Sequence, residues 1–188
     1  MTNIVDRSSE ARPHPGHVSH GPHPDHPGRP EAAAPPPWQG SWRFTLAPQD
    51  SSVPQARHAV RDLLRRRAAP LSADRLHGLM LILTELVTNA VRHAALLTPA
   101  IGVEVTVDPH WVWVRVEDGH PYRPQALAAS PERHHTGGRG LLLVQATAQE
   151  AGGSCGVRAT AVGGKVIWAV LPLDRLPGRP ATSRPSPR

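Results

Sequence analysis

The most regular pattern in the chain is a helical one, between residues 72 and 94. Apolar residues recur there at spacings of three and four, which predicts a helix with one buried face. The residues of that face are Leu79, Ile82, Leu83, Leu86 and Ala90. Glu85, Asn89 and His93 are four residues apart, so the helix also carries a polar stripe beside its buried face. Because a buried polar group without a hydrogen bond costs about 1–3 kcal/mol, the stripe predicts a bound ligand.

Shorter patterns on either side predict the remaining elements of the domain. The predicted strands cover residues 42–46, 101–107, 111–117, 156–162 and 165–171. The predicted helices cover residues 53–64, with Ser51 or Ser52 as the cap, 72–94, with Ser72 as the cap, and 138–150. Gly163 and Gly164 predict a two-residue hairpin turn. This order predicts an α+β fold, a two-layer sandwich with helices on one face of a mostly antiparallel mixed sheet.

Composition divides the chain into three parts. Residues 1–40 are rich in Pro, His, Gly and Ala, and they are too poor in large aliphatic residues to offset the entropy of ordering. We therefore expect a disordered tail at 1–40, a domain at 41–173 and a second loose tail, rich in Pro and Arg, at 174–188. A histidine recurs at every third residue between 14 and 26, and a polyproline II helix would align these side chains on one edge. An alternative is therefore that the chain is a histidine-rich protein whose function is to bind metal.

Size and charge favour a single domain in the cytoplasm. The 188 residues, 39% of them hydrophobic, suffice for one core. No apolar run of about 18 residues predicts a membrane helix, and residues 1–10 lack the apolar stretch of a signal peptide. The net charge is +6. The arginines of the chain are either scattered or placed at the end of a predicted helix, as Arg65–Arg67 are, so we expect no direct nucleic-acid partner. Cys155, the single cysteine, cannot form an internal disulfide and fits a reducing compartment.

Two further motifs follow the polar stripe along the chain. Asp118 ends an apolar strand and is followed by Gly119. Residues 136–141 then open a helix, where glycines let the backbone approach a phosphate and the first N–H groups attract its charge. Residues 119–137, between the two motifs, have no clean periodicity, which is typical of a functional loop.

In this order, the three motifs resemble those of the GHKL (Bergerat-type) ATPases and kinases. Within that superfamily they are most similar to the small bacterial anti-sigma-factor serine/threonine kinases and related ATP-binding regulators. Residues 85–94 resemble the N box, Asp118 and Gly119 the G1 box, and residues 138–141 the G2 box. The resemblance covers about residues 42–172. It implies the histidine-kinase-like ATPase fold, ATP and Mg²⁺ as ligands, and a protein partner, a sigma factor or an anti-anti-sigma antagonist; a homodimer is compatible with it.

The resemblance also implies roles for single residues. Asn89 would bind Mg²⁺ through its side-chain oxygen, and Glu85 would be the base, or would orient the attacking group, in phosphoryl transfer. Asp118 would accept a hydrogen bond from the exocyclic amine of adenine. The implied nucleotide-binding residues are Asn89, Arg92, His93, Asp118, Gly119, Thr136, Gly138, Arg139, Gly140 and Leu141.

The second motif departs from the family pattern Asp-x-Gly-x-Gly. His120 and Tyr122 replace both glycines, and Pro121 and Pro124 stiffen the segment because each proline fixes its φ angle. We therefore expect either a serine/threonine kinase that phosphorylates an antagonist protein, or an ATP-sensing, protein-binding regulator with little or no kinase activity. A fragment of a sensor histidine kinase is a third alternative, but no pattern before the domain predicts a helical pair with a phospho-accepting histidine.

Overall fold

The computed structural model describes residues 5–6, 35–94, 98–121 and 139–174. Its strands are β1 (Val5–Asp6), β2 (Gly40–Leu46), β3 (Ile101–Val107), β4 (Trp111–Asp118), β5 (Ser154–Ala159) and β6 (Lys165–Pro172). Its helices are α1 (Ser52–Arg66), α2 (Ala73–Ala94) and α3 (Arg139–Glu150). The strands form one sheet in the order β1-β2-β3-β4-β6-β5, and each described pair of neighbours is antiparallel. The predicted α+β class, with a mostly antiparallel sheet, is confirmed.

One face of the sheet forms the core together with the helices. Alternate residues of each central strand point to this face, as the twofold period of a strand requires. The fully buried members include Trp42, Val103, Val105, Val114, Ile167 and Leu171. Helix α2 supplies the buried side chains that were predicted, Leu79, Ile82, Leu83, Leu86 and Ala90. It also packs closely against α3, because a Cβ on Gly78 would lie 3.3 Å from the Thr147 methyl group.

The opposite face of the sheet carries charges and tryptophans. The Arg115 guanidinium donates a hydrogen bond of 3.3 Å to Glu104 and lies 4.9 Å from the centre of the Trp113 ring. Trp113 in turn packs against Trp168, with 5.7 Å between the ring centres. Burial lowers the pKa of Arg115, and the neighbouring Glu104 opposes that shift. Among the described residues, no helix covers this face of the sheet. The contacts between its own side chains hold the large residues in place.

The ordered domain begins before residue 41. Trp38 is only 7% exposed and belongs to the core, and Val5 and Asp6 pair with Arg43 and Trp42 of β2. Both observations fall within the segment 1–40 that composition predicts to be disordered. An isolated tryptophan, outside any periodic pattern, gives little sign in the sequence that it will be buried. The histidines at 14–26 lie outside the described residues.

The hairpin that precedes Lys165 differs from the predicted two-residue turn. Strand β5 ends at Ala159, so the connection runs from Thr160 to Gly164. Thr160 closes this loop, because its N–H donates to the Gly164 carbonyl at 2.9 Å and its hydroxyl accepts the Gly164 N–H at 2.9 Å. Gly163 has a φ angle of 88°, which favours glycine. The side-chain bonds of Thr160, which periodicity does not reveal, explain the longer loop.

The predicted helix caps are only partly found. Ser51 occupies the N-cap of α1 but its side chain makes no capping hydrogen bond, and Ser52 Oγ instead donates to the carbonyl of Ala47. Ser72 Oγ accepts the N–H of Arg75 at 3.4 Å, a weak cap for α2.

Across the described residues, no helix has both the length and the apolar character that a membrane span needs.

Replacing Trp38 tests the position of the domain boundary. We expect Trp38→Ala to lower the free energy of unfolding by about 3 kcal/mol, because a buried aromatic ring is removed from the core. Urea denaturation would measure the change, with Gln39→Ala as the neighbouring control. Equal stability of the two variants would mean that the domain does not depend on residues before 41.

Candidate functional site

Helix α2 places Glu85 and Asn89 side by side at the edge of the core. Both are partly buried, and each is followed in the sequence by a buried residue, Leu86 at 0% exposure and Ala90 at 1%. Arg92, one residue from the stripe, is exposed to solvent. His93 belongs to α2 by its backbone, but its side chain lies outside the described residues. The apolar face thus fixes the helix rotation and, with it, the direction of Glu85 and Asn89.

The Glu85 carboxylate lies against the first turn of α3. A Cβ built on Gly140 would overlap Glu85 Oε2 and would lie 3.4 Å from the carboxyl carbon. The first turn of α3 has no acidic residue of its own, so Glu85 brings a negative charge to the positive end of the α3 dipole. Gly140 was expected to cradle phosphates; in the structure its missing side chain also leaves room for this carboxylate.

The Asn89 amide meets a polar environment that is incomplete. Its Nδ2 atom is buried and has no hydrogen-bond partner among the described residues. Since rotation of an amide exchanges its oxygen and nitrogen, this end of the side chain can present either a donor or a hard oxygen ligand. An unpartnered polar atom at the edge of the core, one turn from Glu85, fits a side chain that acts on a ligand.

Asp118 forms a buried ion pair with Lys165. Its Oδ1 accepts a hydrogen bond of 2.8 Å from Lys165 Nζ, and each of the two side chains is 1% exposed. The residues are direct cross-strand neighbours in β4 and β6. Lys165 was missed as a site residue. Its alternation with Ile167, Ala169 and Leu171, which are all buried, places it on the core face of its strand, and a lysine in that position requires a partner.

The end of β4 is fixed by two further hydrogen bonds. The His120 N–H also donates to Asp118 Oδ1, at 2.9 Å, and the Gly119 N–H donates to Thr98 Oγ1, at 2.8 Å. Gly164 lies so close that a Cβ there would overlap the Asp118 carbonyl oxygen. These contacts therefore hold Asp118 in place, even though the sequence that follows it, with His120 and Pro121, departs from the family pattern.

The remaining predicted site residues divide into three groups. Thr136 and Gly138, together with Tyr122, lie outside the described residues. Arg139 is exposed at the start of α3, where an anion would approach. Leu141 is 5% exposed and belongs to the core, so only its backbone N–H, in the first turn of α3, is placed to meet a phosphate.

The Asn89 amide has the chemistry of a magnesium ligand. The described residues contain no group of three or more His, Cys, Asp or Glu side chains that could hold a metal ion. Mg²⁺ commonly takes one or two protein ligands together with substrate phosphates, and the unpartnered Asn89 amide fits that use. Burial raises the pKa of the Cys155 thiol to about 11, which favours its protonated form at neutral pH.

A family model described as a histidine kinase-like ATPase domain matches residues 46–170. The match runs from the end of β2 into β6 and includes Glu85, Asn89, Asp118 and Gly140. Among solved structures, the mycobacterial sensor histidine kinase MprB is 22% identical, with 67% of this chain and 97% of that chain covered and a TM-score of 0.43. A comparison with curated proteins found no match.

Two glycine substitutions test the close contacts that shape the site. In Gly140→Ala, the added Cβ meets the end of a flexible side chain, and alanine favours a helix by up to about 1 kcal/mol; we expect an unchanged or raised free energy of unfolding. In Gly164→Ala, the Cβ meets the backbone of Asp118 and Gly119, which cannot rotate away, so we expect a loss of about 1–3 kcal/mol. Urea denaturation distinguishes the two. Equal losses would mean that Glu85 cannot yield and that its contact with α3 is part of the fold.

Proposed function

The chain belongs to the family of histidine kinase-like ATPase domains, and on that premise we propose that it binds ATP together with Mg²⁺ and transfers the γ-phosphoryl group to a serine or threonine of an antagonist protein. The observation that supports this most is the approach of the Glu85 carboxylate to the first turn of α3. This approach places the polar stripe of α2 beside the N-terminus of α3, and a helix N-terminus attracts phosphate. Phosphorylation of the antagonist would switch this chain between two protein partners, as the resemblance to anti-sigma-factor kinases implies.

The proposed mechanism gives Glu85 the role of general base. The hydroxyl oxygen of the acceptor attacks the γ-phosphorus, the bond to the β–γ bridging oxygen breaks, and ADP departs. Glu85 takes the proton of the attacking hydroxyl. The start of α3, with Arg139 exposed beside it, attracts the charge of the phosphates.

The other residues of the site bind and orient the nucleotide. Asn89 would hold Mg²⁺ through its amide oxygen, and when bound the ion would offset the negative charge that accumulates on the phosphoryl oxygens. Asp118, at the fixed end of β4, would accept a hydrogen bond from the exocyclic amine of adenine. Because a carboxylate accepts but does not donate, this contact favours a 6-amino over a 6-oxo purine.

A second candidate function is an ATP-sensing regulator that binds a protein partner and transfers little or no phosphate. The observation that favours it is the sequence after Asp118, where His120 and Tyr122 replace two glycines and Pro121 lies between them, while the His120 N–H donates a hydrogen bond to Asp118. A stiff connection retains base binding but restricts the closure that phosphoryl transfer needs. Incorporation of labelled phosphate into a serine- or threonine-bearing antagonist separates the two functions.

Substitution of the proposed base separates binding from chemistry. We expect Glu85→Gln to keep ATP affinity, because its size is preserved, and to lower the rate of phosphoryl transfer by roughly 10²–10⁴-fold, because an amide cannot accept the proton. Titration calorimetry and a single-turnover transfer assay give the two quantities. Glu150→Gln, at the exposed end of α3, is the control with the same chemical change. Transfer at the wild-type rate in Glu85→Gln would exclude Glu85 as the base.

Substitution of the proposed magnesium ligand separates the ion from the base site. We expect Asn89→Ala to weaken ATP binding at least about tenfold in the presence of Mg²⁺ and to leave the affinity for adenosine without Mg²⁺ nearly unchanged. Titrations with and without the ion measure both, and Gln149→Ala, on the exposed side of α3, controls for loss of an amide. Equal weakening under both conditions would assign Asn89 a structural role.

A further inference from the structure

The Asp118–Lys165 pair is a charged pair inside the apolar core. Its members are 3% and 1% exposed, and they are joined by a hydrogen bond of 2.8 Å. A buried ion pair contributes little net stability compared with apolar residues of the same size, because both charges lose their hydration. Stability alone is therefore a weak reason for a lysine at this position.

The geometry of the pair assigns different tasks to the two oxygens of Asp118. Both the Lys165 ammonium and the His120 N–H donate to Oδ1. A base amine would therefore be met by the second oxygen, Oδ2, and the carboxylate must remain ionised for Oδ2 to act purely as an acceptor.

We propose that Lys165 is a selectivity residue of the nucleotide site, which keeps Asp118 ionised and thereby makes the site prefer a 6-amino purine. The inference rests on the proposed function, in which Asp118 meets the base. Lys165 acts through Asp118 and is in this sense a positioning residue.

The consequence of removing the ammonium follows from the hydrogen bonds that remain. A carboxylate buried without a countercharge takes up a proton. Because the His120 N–H requires an acceptor at Oδ1, that proton binds to Oδ2. The oxygen that meets the base then becomes a donor, which opposes the amine of adenine and matches the carbonyl of a 6-oxo purine.

The experiment compares three nucleotides on four variants of the full chain. The probes are ATP, purine riboside triphosphate, which is ATP without its 6-amino group, and inosine triphosphate, which carries a 6-oxo group. The variants are Lys165→Met, Lys165→Gln, Asp118→Asn and the double variant D118N/K165M. Dissociation constants come from titration calorimetry, and the fold of each variant is checked by circular dichroism.

We expect the wild type to prefer ATP over purine riboside triphosphate by on the order of 10- to 100-fold, since the amine donates to a charged acceptor. Lys165→Met and Lys165→Gln should lose most of this preference and bind inosine triphosphate at least as tightly as ATP. Asp118→Asn and the double variant should behave in the same way, because the His120 N–H holds the amide oxygen and turns the amide N–H₂ to the base. Infrared difference spectra should show a protonated carboxyl group in Lys165→Met and none in the double variant.

The outcomes distinguish this inference from the proposed function. A wild type that does not bind ATP removes the proposed function itself. An Asp118→Asn variant with wild-type selectivity removes Asp118 from the base site. If Asp118→Asn changes selectivity while a folded Lys165→Met or Lys165→Gln keeps the preference for the amine, only the role of Lys165 is overturned. Loss of the fold in both lysine variants, with a folded double variant, also overturns it, because the pair would then serve the fold.

Discussion

Helix α2 has to satisfy two requirements at once, and the arrangement of the site depends on how it does so. Its apolar face must be buried on the sheet, and that burial fixes the rotation of the helix about its own axis. With the rotation fixed, Glu85 faces the start of α3, where Gly140 leaves room for it. At Gly78 and Thr147 the two helices also approach closely. The candidate chemistry is therefore a consequence of how the core is packed.

The two acidic side chains of the candidate site differ in their surroundings, and the difference suits different tasks. Glu85 is partly exposed and lies at a helix start, where a proton can be exchanged with an incoming group. Asp118 is buried, fixed by Lys165 and by a backbone N–H, and suited to hydrogen bonding without proton transfer. One fold thus holds two carboxylates, of which the more exposed is suited to chemistry and the more restrained to recognition.

The sequence predicts what depends on local periodicity and misses what depends on partners distant in the chain. The buried face of α2 and the strands β3 and β4 are predicted from local patterns, and all three are found in the structure. The pairing of Lys165 with Asp118 requires the register of β4 against β6, which no local pattern specifies. The same holds for Trp38, whose burial depends on the rest of the core, and for the loop that Thr160 closes with Gly164. Periodicity therefore predicts neither side-chain hydrogen bonds between distant residues nor the burial of a single tryptophan outside a regular pattern.

The rigid end of β4 bears on whether this domain binds ATP without turning it over. Hydrogen bonds to Thr98 and Asp118 fix the backbone at Gly119 and His120, so Asp118 is held in position for the proposed base contact. The start of α3 is fixed separately, by the packing of α2 and α3 in the core. In the proposed function, the base would thus be met at the end of β4 and the phosphates at the start of α3. Phosphoryl transfer also requires water to be excluded from the phosphates, which binding alone does not require. We therefore expect the departure from the family motif, in which His120 and Tyr122 replace two glycines, to bear on the step between binding and chemistry, which separates a kinase from a sensor.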